Sequence, residues 1–219
     1  MSRALMWAMI CVFGLVLSGA AQAEIVWQPP WVEDPSDLQW QGGSVTHQVW
    51  EFNDDPIVPM ISENPFGLAQ IEVVGGSYPD PVIGPDGVTL LNTWHIDQDG
   101  GSLVISVPND PRPNDRKVIF IQLTSDKGPL LGYPTSNPPG TVSYPKPAIN
   151  HDGTGWYTYT AQIDIPFNPP FETITYCFPE STNISELVVD SICVPEPASL
   201  SLLAVGGLAL LRRRCRAIR

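Results

Sequence analysis

Proline and glycine interrupt this chain so often between residues 24 and 194 that little room is left for a long helix. The sequence holds 24 Pro and 18 Gly in 219 residues. Proline removes a backbone donor and fixes φ, and glycine weakens helix and strand interiors alike. Punctuation of this density therefore selects short strands joined by turns. The length suits one β-sandwich once the terminal segments are set aside.

Residues 44–52, 68–74, 88–95, 102–107, 117–124, 156–165, 171–178 and 186–194 read as about eight strands bounded by turn signals. In the first of them Trp50 and Phe52 share a face. Leu103, Ile105 and Val107 alternate cleanly, whereas Val118, Ile119, Phe120 and Ile121 are apolar on both faces, which marks a central strand covered on two sides. Residues 128–150 hold six prolines and read as a surface loop with at most an edge strand at 141–144. No amphipathic helix and no internal repeat stand out. The expected fold is all-β, an antiparallel, jelly-roll-like β-sandwich. An extended, tryptophan-rich arm at 24–40 precedes it.

The termini differ from this body. Residues 1–23 combine Arg3, an apolar run and the small residues Ala21 and Ala23 in an A-x-A pattern, which reads as a secretory signal peptide cleaved before Glu24. At the other end, Pro195-Glu196-Pro197 precedes a run from Ala198 to Leu211 and then Arg212, Arg213 and Arg214. As a short apolar helix of about 14 residues it would extend about 21 Å, short of the roughly 30 Å hydrocarbon core. Such a tail inserts transiently, held on the cytoplasmic side by its arginines.

Three domains follow: a signal peptide at 1–23, an extracellular sandwich at 24–194 and a C-terminal signal at 195–219. The order of tripeptide, apolar stretch with Gly206-Gly207 and basic cluster resembles the PEP-CTERM sorting signal. That resemblance implies processing by an exosortase, a membrane-embedded protease or transpeptidase that recognises Pro195, Glu196 and Pro197. The body, with Trp50-Glu51-Phe52, Asn64-Pro65-Phe66-Gly67 and Val189-Asp190-Ser191-Ile192-Cys193, is similar to planctomycete-type secreted proteins that carry this tail. Export by Sec to a bacterial cell envelope or extracellular matrix is what these signals imply.

Charge narrows the partners. All 23 acidic residues lie between Glu24 and Glu196, while the body's basic residues are Arg112, Arg116, Lys117, Lys127 and Lys146. So acidic a body repels phosphate backbones, and nucleic acid is not an expected partner. Exported proteins tolerate disulfides, and the body has only Cys177 and Cys193. If its last two strands form a hairpin, these cysteines face each other, with Ile174, Tyr176, Phe178, Val188, Ile192 and Val194 on the core face. Closing that loop would add on the order of 3 kcal/mol.

The histidines are His47, His95 and His151, and neither a G-x-S-x-G nor an H-E-x-x-H pattern occurs. The expectation is a non-enzymatic surface or matrix protein with a structural or interaction role and no cofactor. Two site readings are kept open. Asp97 and Asp99, before Gly100-Gly101, could offer oxygens to calcium or form a solvated turn. Trp156, beside Thr158, Gln162 and Asp164, could be a stacking platform of a carbohydrate-binding module acting on extracellular polysaccharide, or could pack beneath a loop.

Overall fold

Two runs lack the alternation of a half-exposed strand, and they become the middle of the larger of two sheets. In the computed structural model the described residues are 27–37, 40, 43–52, 59–85, 87, 90–111, 116–127, 133–151 and 154–194. Among them the chain forms β1 (Ser44–Glu51), β2 (Ile61–Glu63), β3 (Gln70–Val74), β4 (Ser77–Ile83), β5 (Leu90–Ile96), β6 (Gly101–Pro108) and β7 (Arg116–Ser125). It continues through β8 (Pro134–Asn137), β9 (Thr141–Ser143), β10 (Ile149–Asn150), β11 (Tyr157–Ile165), β12 (Phe171–Phe178) and β13 (Thr182–Val194). Every pairing is antiparallel. The larger sheet runs β10-β11-β7-β13-β1-β2, with β5 also on β13, β4 on β5 and β9 on β11; the smaller runs β3-β6-β12-β8. The expected all-β sandwich is the observed fold.

The core lies between the sheets. Leu103, Ile105 and Val107 of β6 and Ile174, Tyr176 and Phe178 of β12 meet Ile119, Ile121 and Leu123 of β7, Leu187 and Val189 of β13, and Trp50 and Phe52. Complete burial of one such side chain contributes about 1.5–3 kcal/mol. A second cluster covers the outer face of the larger sheet, where Val118, Phe120, Ile192 and Val194 pack against Trp31, with Trp27 and Trp40 beside them. The N-terminal arm thus makes β7 and β13 dry on both sides. Within it, Pro29-Pro30 starts one helical turn, α1 (Pro30–Glu33), which delivers Trp31. Lys146 holds the arm down, with Nζ 2.6 Å from Glu33 Oε2 and 5.3 Å from the centre of the Trp27 ring.

The turn from β3 to β4 needs glycine. Gly76 has φ +105°, and a Cβ there would stand 2.1 Å from the His95 carbonyl oxygen. Its N–H donates to Asp97 Oδ2 at 3.1 Å.

One sequence expectation fails here. β12 and β13 do not form a hairpin, because the chain crosses from one sheet to the other between them. Cys177 sits opposite Ser102 on β6 and is exposed, while Cys193 sits opposite Ser44 and Lys117 and is buried. Both are free cysteines, so the expected Cys177–Cys193 disulfide is absent. The physical reason is that β13 carries buried apolar side chains on both faces, so its pattern does not say which strand is its neighbour. Val188, Ile192 and Val194 accordingly lie outside the inter-sheet core, and Ile192 and Val194 pack under the arm. The predicted signal peptide and the short C-terminal apolar helix lie outside the described residues.

Candidate functional site

Three strands keep their inward phase to the end of the sandwich and finish it with polar residues. Leu103, Ile105 and Val107 lead to Asn109; Leu123, Ile121 and Ile119 lead back to Lys117; Phe178, Tyr176 and Ile174 lead back to Glu172. Side chains two apart share a face, so all three point between the sheets. Lys117 and Glu172 are each 0% exposed and Asn109 is 4% exposed.

They touch one another. The Lys117 Nζ donates to Asn109 Oδ1, and Asn109 Nδ2 donates to Glu172 Oε2 and, at 3.1 Å, to the Pro169 carbonyl. Glu172 Oε1 lies 3.7 Å from Nζ and has no hydrogen-bond partner among the described residues. Around this centre Cys193 Sγ donates to Asn168 Oδ1 at 3.2 Å, Asn168 Nδ2 donates to the Asp110 carbonyl, and Ser44 Oγ donates to Asp110 Oδ2 at 2.8 Å. Thr46 and Ser191 extend the polar band with a 2.5 Å hydroxyl pair.

A buried ion pair regains the cost of its desolvation only with near-ideal geometry. Here burial wins at the carboxyl. It pushes Glu172 up from 4.5 to about 7, against the opposing pull of the Lys117 charge and hydrogen bond. Burial also pushes the Cys193 thiol up. The cluster brings an amine, a primary amide and a carboxyl group into mutual contact away from water.

The histidines are held separately. His47 Nδ1 lies 2.7 Å from Asp190 Oδ1; that hydrogen bond raises the His47 pKa, while burial raises that of Asp190. His95 Nδ1 pairs with Asn183 Oδ1 at 2.9 Å, and His151 Nε2 with Thr158 Oγ1 at 2.8 Å.

Of the predicted site residues, Trp156 is 2% exposed and its Nε1–H donates to the Ile83 carbonyl at 2.8 Å, so it is a packed side chain and not a stacking platform. The sequence placed it on a polar face, but the neighbouring Thr158 and Thr160 on that face are buried as well. Asp97 and Asp99 lie in an exposed turn, one Asp97 oxygen being taken by Gly76. Among the described residues no three His, Cys, Asp or Glu side chains gather as a metal group.

Ala21 and Ala23, Pro195, Glu196 and Pro197, and Arg212, Arg213 and Arg214 lie outside the described residues. Among the described residues no helix is long and apolar enough to cross a membrane. The sealed cluster escaped the sequence reading, although its signal was present: Lys117 and Glu172 occupy inward positions in otherwise apolar phases.

Comparison with known proteins bears on the tail. Residues 194–216 match the model of the PEP-CTERM protein-sorting motif. No curated protein and no solved structure matches the chain. The matched segment begins at Val194, the last residue of β13, so the motif follows directly on the central strand. The chain thus carries a PEP-CTERM protein-sorting motif at its C-terminal end, which indicates an exported protein targeted to an exosortase.

Proposed function

We propose that the protein is a structural or interaction component of a bacterial cell surface or extracellular matrix, reached through Sec, and that it is not an enzyme acting on an outside substrate. The mature unit is the sandwich at 24–194, freed of its leader and its tail. The observation that carries this reading is the sorting motif at 194–216. Burial of Lys117 and Glu172 supports it, since these reactive groups face the core and not a passing substrate. A carbohydrate-binding role loses its main support with the burial of Trp156.

The test is fractionation and mass spectrometry of the protein from a host with an active exosortase, beside a Glu196→Ala variant. The expected wild-type product is in the envelope or matrix fraction and lacks Arg212 to Arg219. The variant should accumulate as an uncleaved precursor. A cytoplasmic product, or a mature chain that still ends at Arg219, would refute the proposal.

A further inference from the structure

We infer that Lys117 and Asn109 become joined by an isopeptide bond between their side chains, with Glu172 as the catalytic acid–base group. The reacting groups are already in contact. Lys117 Nζ contacts the side-chain carbonyl of Asn109, and Glu172 Oε2 and the Pro169 carbonyl take the two hydrogens of Asn109 Nδ2. Two acceptors on Nδ2 and a donor on Oδ1 fix the orientation of the amide, so its carbonyl faces the amine. The unpartnered oxygen of Glu172 lies 3.7 Å from the same Nζ. One carboxyl group therefore reaches both the nitrogen that attacks and the nitrogen that leaves.

Burial supplies the nucleophile. An ammonium and a carboxylate without exposed surface gain by passing one proton from nitrogen to oxygen, which leaves two neutral groups. The raised pKa of Glu172 agrees with that transfer.

The amine then attacks Asn109 Cγ, forming the new C–N bond while the carbonyl electron pair moves onto Oδ1. As that pair returns, the Cγ–Nδ2 bond breaks. Glu172 gives its proton to Nδ2 and takes one from Nζ, and ammonia leaves. Amine and primary amide have become a secondary amide and ammonia, with no oxidant or reductant required. Amine–amide exchange is negligible between free molecules, but fixed neighbours react at effective concentrations on the order of 10⁵–10⁸ M. The product also replaces a buried ionisable amine with a group that does not titrate. Asn109 follows β6 in the smaller sheet and Lys117 lies in β7 of the larger, so the bond ties the two layers where the chain passes between them.

Trypsin supplies the test, because it cuts after Arg116 and so separates Asn109 from Lys117 unless their side chains are joined. The full-length protein is purified, denatured and digested, and its peptides are weighed. The expected result is one branched species carrying both residues, cut after Arg116 and lighter than the two summed peptides by one ammonia. Two separate peptides at their sequence masses would overturn the inference. So would an unjoined Asn109 peptide that alone has lost ammonia, since that marks cyclisation onto Asp110. Glu172→Gln keeps both partners and should slow joining on the order of a hundredfold. Joining at the native rate in that variant would overturn the role of Glu172, and a branched species in Lys117→Arg would overturn the assignment of the amine.

Discussion

Glu172 makes the stability of this protein fall as pH rises, and the size of the effect follows from its burial. Its carboxyl group is 0% exposed and its pKa stands at about 7, against 4.5 for an ordinary glutamate. A group whose folded pKa is raised contributes stability that is complete below the unfolded value and is lost as pH climbs through the folded one. The unfolded chain ionises Glu172 from about pH 4.5, while the folded protein keeps it protonated to about pH 7. At about 1.4 kcal/mol for each pH unit, the loss across that window is about 3 kcal/mol.

Urea unfolding of wild type and Glu172→Gln at a series of pH values isolates this contribution. Other titrating groups, the His47–Asp190 pair among them, are common to both proteins and cancel. The wild-type stability minus that of the variant should fall by about 3 kcal/mol between about pH 4.5 and 7 and be level on either side. A constant offset from loss of the isopeptide bond would not bend this curve. Without the Lys117 charge to favour the carboxylate, the joined protein should show the upper edge of the window at higher pH. A difference that is flat, or that rises with pH, would refute the reasoning; a rise would mean that Glu172 is a carboxylate stabilised by Lys117.

Two further outcomes check the fold. Alkylation of the native protein should modify Cys177, which is exposed, and spare the buried Cys193 until the chain is unfolded; native protein without free thiols would restore the disulfide. Trp156→Ala should destabilise by about 3–5 kcal/mol in denaturant titration, because it empties a buried site and leaves the Ile83 carbonyl without its donor. Loss of polysaccharide binding at unchanged stability would instead make Trp156 a platform.

What the sequence made legible follows from how each strand is buried. β6, β11 and β12 have regular inward phases, and their apolar positions point into the core as the alternation requires. β7 was recognisable as central because it is apolar on both faces. The same property hid the neighbours of β13, and with them the fate of the two cysteines. β4 and β8 were not read as strands because they hold prolines, which edge positions tolerate: among the described residues β4 pairs with β5 alone, and β8 with β12 alone. The polar cluster was hidden differently. Lys117 and Glu172 lie at the ends of their strands, yet each is two residues beyond a core position and in phase with it. What sequence alone could not supply is that those three strand ends meet.

The position of β13 has a consequence for the order of events during export. It is the last strand among the described residues, yet β1 and β7 both hydrogen-bond to it along most of its length. Until Val194 has emerged, β1 has among the described residues only the three-residue β2 as a partner, and the larger sheet lacks its middle. Such long-range pairing is slow because loop closure precedes any gain from contact. The chain is therefore built to stay open while it is threaded through a membrane and to close when its final strand arrives. The sorting tail that follows at once would then mark the moment at which folding can be completed.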